Sequence, residues 1–200
     1  MKKSISLTLV SITLLSTTYA CAATPRSVDP RTLDIAGVKT GMSIDQAKSA
    51  LATHFGVPAS QLKTAPYPNK HPVTGAKVPS YITYEKSNEK VVVHFEPRFS
   101  DDSSNIAAVS QILYELPWTK ENEQAISKAA ITKYGSPSNG ENGVTLQWCE
   151  KPSTNPGMGC NIGNQATLSV SGTKVQIVDP FWTEARIEQM NKSKLTTPGF

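Results

Sequence analysis

Two stretches of the chain repeat apolar residues at the spacing of a helix face. Ile44, Ala47, Leu51 and Phe55 fall three and four residues apart, which lines them up along one side. Ser43 stands at the N-cap and Gln46, three residues on, completes a capping box, with Met42 and Ala47 in the staple positions. Asp45 lies in the first turn, where the helix dipole favours negative charge. Gly56 can take the left-handed conformation that ends a helix, and Pro58 bars its continuation. In the second stretch Thr119 is the N-cap, Ile126, Ala129, Ala130 and Tyr134 form the buried stripe, and Gly135 and Pro137 are the stop. Phe55-Gly56-Val57-Pro58 and Tyr134-Gly135-Ser136-Pro137 thus read as two copies of one ending.

Each helix is followed by residues patterned for strands. After the first come an alternating run over 81–85, a β-branched run over 91–95 with Asn88 in the turn between, and a third strand from Ile106 towards Leu116. After the second come strands at 144–148, 166–170 and 174–178, the last two joined by a Ser171-Gly172 hairpin. A short helix over about 184–194 and a loose tail over 195–200 close the chain. The pattern predicts an α+β fold, two helix-plus-antiparallel-sheet modules in tandem over 41–117 and 118–200, behind a leader over 23–40. Whether the modules share one sheet is left open by the spacing.

Residues 59–80 break the pattern. Pro66, Pro68, Pro72 and Pro79 exclude a continuous helix and a central strand alike. The segment carries Lys63, Lys70, His71 and Lys77 beside Tyr67 and Tyr81, and reads either as a solvated insertion or as a basic, aromatic-tipped contact loop. Those six residues are the candidate binding set.

The first 22 residues change the picture of compartment. Lys2 and Lys3 precede an apolar run from Ile5 to Leu15, and Ala20-Cys21-Ala22 follows as a cleavage pattern, so the segment reads as a secretory signal peptide. Thr18 and Tyr19 fit a bacterial lipobox poorly, which favours soluble export over lipid anchoring at Cys21. Loss of the two lysines lowers the formal net charge from +4 to +2, too mild for a dedicated nucleic-acid binder. Cys149 and Cys160 then remain, and in an oxidising compartment such a pair reads as a disulfide.

The sequence contains no G-x-S-x-G elbow, Walker phosphate loop or H-E-x-x-H zinc helix. His54, His71 and His94 are scattered over a helix end, a loop and a strand. His94 and Glu96 have the spacing that puts both on one strand face, which reads as a surface pair rather than half a metal site. Asp101, Ser103 and Asn105 mimic the start of a calcium loop, but Ile106 replaces its glycine and Ile112 its bidentate glutamate. No catalytic residue, metal ligand or cofactor is therefore assigned. Trp118, Trp148 and Trp182 read as packing residues.

Gly41-Met42-Ser43, Gln46-Ala47, Leu51, Gly56 and Pro58 together resemble the motif of the BamE/SmpA family of outer-membrane assembly lipoproteins. The tandem arrangement also looks like the β-lactamase inhibitory protein family. The first resemblance implies helices on a three-stranded antiparallel sheet, with Trp148 as a strand aromatic. The second implies two modules presenting a sheet surface to an enzyme. The expectation is a non-enzymatic, exported bacterial envelope protein, periplasmic or secreted, that binds an envelope or secreted protein through a sheet face and the 59–80 loop. Outer-membrane association stays open within it. The competing classes are a hydrolase or metal-dependent enzyme gathering its histidines with carboxylates, and a peripheral membrane-binding module.

Overall fold

Ser43 caps α1 (Ile44–Phe55) as expected: its side chain accepts from the Gln46 N–H at 3.2 Å, and Gln46 accepts from the Ser43 N–H at 2.8 Å. Gly56 ends the helix at φ +61°, ψ +37°, a conformation that costs glycine little. Ala47 and Leu51 are fully buried, and Phe55 stacks on Tyr84 with ring centroids 4.2 Å apart. The computed structural model describes residues 25–99, 105–140, 144–155 and 157–194. The expected export signal with Cys21, the Asp101–Ser103 part of the calcium-like run and the tail lie outside the described residues.

Beyond α1, the strands are β1 (Lys63–Thr64), β2 (Asn69–Lys70), β3 (Lys77–Val78), β4 (Tyr81–Lys86), β5 (Glu89–Pro97) and β6 (Ala107–Glu115). Then follow α2 (Lys120–Tyr134), β7 (Leu146–Cys149), β8 (Thr167–Ser171), β9 (Lys174–Val178) and α3 (Pro180–Lys194). Seven strands form one antiparallel sheet in the order β1-β4-β5-β6-β9-β8-β7, and β2 and β3 make a separate small hairpin. Strand order reverses across β6 and β9, so the last strand of each half pairs with the last strand of the other.

One cross-strand row explains why the halves join. Ile82, Val93, Ile112, Ile177, Leu168 and Trp148 lie opposite one another across six strands, and all six are fully buried. Burying a side chain of this size contributes roughly 1.5–3 kcal/mol. The row runs unbroken through the β6–β9 junction, and Ile112 and Ile177 would each lose one of two cross-strand neighbours if the sheet were split there. Trp148 also donates its indole N–H to the Gly135 carbonyl at 3.1 Å, behind the Tyr134 ring. Gly135 accordingly ends α2 with extended ψ (φ +78°, ψ −168°) instead of repeating the geometry of Gly56.

The chain ends cross-brace the two halves. Residues 25–34, expected as a connecting leader, are bonded into the second half. Arg26 donates to the Tyr134 carbonyl at 2.9 Å, Val28 donates to the Cys149 carbonyl at 2.8 Å, and Arg31 pairs with Asp179 at 3.1 Å. Conversely, α3 leaves the second half and packs on β5 and β6 of the first. The Arg98 guanidinium lies 4.9 Å from the Trp182 ring centroid and donates to the Gly41 carbonyl, which fastens α3 beside the entry of α1. α3 starts four residues before the expected position because the Asp179 carboxylate accepts the Phe181 N–H at 3.2 Å and Pro180 suits the first helical turn.

Candidate functional site

The two faces of the sheet have opposite fates. α1 packs on β6, and α2 packs on β8 and β9, over the face that carries the buried row. Among the described residues, α3 is the helix that packs on the other face, at one end. There Thr83, Val92, Leu113, Gln176 and Ser169 lie opposite one another across five strands, all partly buried. This mixed aliphatic and polar surface is left open to solvent.

At the end where α3 sits, the open face deepens into a cleft of about 630 Å³. A β-bulge shapes its floor: the β5–β6 register slips between His94 and Phe95, which leaves Ser110 without a ladder partner and turns both Ser110 and Gln111 towards the cleft. His94 and Glu96 complete the floor from β5. One wall is α3, through Thr183, Arg186 and Met190, and the opposite wall is the 59–80 segment, through Asn69, Lys70 and Pro72.

Charges on the floor are already matched. Arg186 donates to Glu96 at 2.7 Å, and Thr183 donates to the other carboxylate oxygen at 3.4 Å. Asp179 is held by Arg31. Burial holds the His94 imidazole below its ordinary value, against a smaller opposing pull from Glu96. The Tyr81 ring lies 5.9 Å from His94, centroid to centroid. Glu96 is thus committed to α3, and among the described residues no three His, Cys, Asp or Glu side chains gather as a metal site. The three histidines lie apart, with His54 exposed at the end of α1 and edge-on to Phe55.

The 59–80 segment is more ordered than its prolines suggested. It holds one turn of 3₁₀ helix at Ala59–Gln61, the edge strand β1 and the β2–β3 hairpin. His71 fastens the hairpin. It is only 3% exposed, its Nδ1 accepts from the Val73 and Thr74 N–H groups at 3.3 and 3.2 Å, and its Nε2 lies 3.0 Å from the Arg98 carbonyl. Since a carbonyl can only accept, the proton sits on Nε2 and the ring is neutral in this arrangement.

Of the six expected contact residues, five face solvent at least in part. Tyr67 is 86% exposed, Lys63 is exposed on β1, and Tyr81 is half-exposed at the start of β4. Lys70 and Lys77 are exposed and directly opposite one another in the hairpin. His71 differs: it is spent on internal bonds and offers no surface. Sequence reasoning missed Arg186, Thr183, Ser110 and Gln111. The alternation of β5 could have pointed to the face of His94 and Glu96, but nothing local announced a helix arriving 90 residues later.

The disulfide joins Cys149 to Cys160 as expected, and Trp148 is buried, whereas Trp118 is 78% exposed beyond the far end of the sheet. Among the described residues no helix is long and apolar enough to cross a membrane. No protein-family model, curated protein or solved structure matches the chain.

Proposed function

We propose that the chain is an exported, non-enzymatic module that binds another protein through the open face of its sheet and the 59–80 segment. The observation that carries this reading is the asymmetry of the sheet. One face is saturated by α1 and α2, while the other leaves Val92 and Leu113 only partly buried on central strands between a polar cleft and an exposed tryptophan. Aliphatic side chains on the middle of a sheet are costly to leave wet, and a flat, mixed surface with aromatic anchors at its margins suits a protein partner.

Tandem duplication of a helix-and-three-strand unit belongs to the same reading. It is supported by the two capped helices, by the antiparallel meander that follows each (β4-β5-β6 after α1, with the extra edge strand β1, and β7-β8-β9 after α2), and by the reversal of strand order at β6 and β9. Export to the bacterial envelope rests on the signal-like first residues and on a disulfide that an oxidising compartment would preserve. An assembly-factor role and an inhibitor-like role both fit such a surface.

The test compares three versions of the chain in pull-downs from envelope extract: the wild type, a version with residues 59–80 replaced by a short Gly/Ser linker, and Leu113→Asp. Loss of the same partner from both altered versions is the expected result. Equal recovery of every partner from all three would overturn the reading.

A further inference from the structure

Lys70 and Lys77 are cross-strand partners in a two-stranded hairpin, so their side chains leave the backbone roughly 5 Å apart. Like charges in that position repel, and among the described residues neither lysine has an anionic partner. Among the described residues their surroundings do not compensate. The two carboxylates of the neighbouring cleft, Glu96 and Asp179, are each bonded to an arginine. The hairpin is held in shape by His71, so the lysines cannot separate simply by opening the turn.

The geometry points to the Lys70–Lys77 pair as a seat for a carboxylate carried by an acidic segment of the protein partner, at the edge of the cleft where Lys70 forms part of the wall. The inference rests on the protein-binding reading above and names the charge of the partner. A carboxylate between two ammonium groups gains two charge-assisted hydrogen bonds and relieves the repulsion present in the free protein. Tyr67 and Val73, 86% and 62% exposed on the same segment, supply apolar contacts beside it. Two lysines are too few for an anionic membrane surface, whose recognition takes about four to eight basic residues. A nucleic acid would ask for a longer basic stripe.

The experiment is an NMR titration of the full chain with hexaglutamate at low salt, with hexaglutamine as the control. Amide shifts that saturate over residues 69–78, and an affinity about fivefold weaker in Lys70→Gln/Lys77→Gln, are expected for exposed ion pairs of this kind. Shifts spread evenly over Lys48, Lys128 and the hairpin, or equal affinity in the double variant, would overturn the inference. Failure here is separable from failure of the parent reading. If the linker version loses its partner while the lysine variant keeps it, the partner binds the segment without using this charge. If hexaglutamate binds the pair but every pull-down is unchanged, the seat exists and the protein-binding reading falls.

Discussion

The two halves of the molecule each carry one long irregular segment, and they order it by different means. In the second half the Cys149–Cys160 bond closes residues 150–159 covalently. Gln165 spans the same loop: its Oε1 accepts from the Lys151 N–H at 2.9 Å, and its amide NH2 shares two hydrogens among the Lys151, Cys160 and Ile162 carbonyls at 3.0–3.2 Å. Gly159 completes the arrangement: a Cβ there would come within 2.2 Å of the Asn139 side chain, and its φ is +50°. In the first half no covalent bond ties residues 59–80. A buried neutral imidazole takes that role, with Leu62, Ala65 and Val78 as small apolar anchors. The covalent tie restrains the unfolded chain as well as the folded one, whereas the histidine acts only once the fold is present. The segment proposed to meet a partner is therefore the one held by reversible bonds.

Substitutions that remove each tie sharpen this contrast. Cys149→Ala/Cys160→Ala should cost about 3 kcal/mol, the cost of freeing a short loop in the unfolded chain, measured by urea unfolding against the oxidised wild type. A loss below about 1 kcal/mol would mean that Gln165, with Gln147 accepting the Cys160 N–H at 3.1 Å, already defines the loop. His71→Ala leaves the Arg98 carbonyl and two N–H groups without their partner, and should cost about 2 kcal/mol. Its signature is local: limited proteolysis should cut within 66–78 well before global unfolding. Uncut protein under those conditions would show that the prolines alone order the segment.

A smaller effect is expected from pH at the cleft. The folded state holds His94 below its ordinary value of 6.5, so the unfolded chain binds the proton more readily. The resulting stability is present above about 6.5 and is lost as pH falls through the folded value. Urea midpoints should decline over that window, and His94→Gln should flatten the decline. An unchanged slope in the variant would place the titrating group elsewhere. The smallest effect belongs to the hairpin: Lys77→Gln removes a like-charge contact and should raise stability by a few tenths of a kcal/mol at low salt, with the gain vanishing at high salt. A loss of stability instead would mean that the Lys77 stem packs on the hairpin more than its charge repels.

Local pattern was sufficient for the elements. The capping box of α1, the Thr119 cap, the Gly172 hairpin and the Cys149–Cys160 pairing each depend on residues close together in sequence, and each is where the sequence puts it. The candidate contact set was legible only as a composition of charges and aromatic rings. His71 shows the limit. A histidine amid lysines and prolines looks solvent-facing, and only the arrival of the Arg98 carbonyl, 27 residues away, makes burial favourable.

By itself the sequence determined the helices, six of the seven sheet strands and the disulfide, because capping, turn chemistry and side-chain alternation act over a few residues. Tertiary structure alone decided that β6 pairs with β9 to make one sheet, that residues 25–34 brace the second half, and that α3 crosses to the first and builds one wall of the cleft. Those choices depend on which apolar face finds a matching neighbour at long range. Half-buried strands advertise a face, but not the strand that will lie beside it.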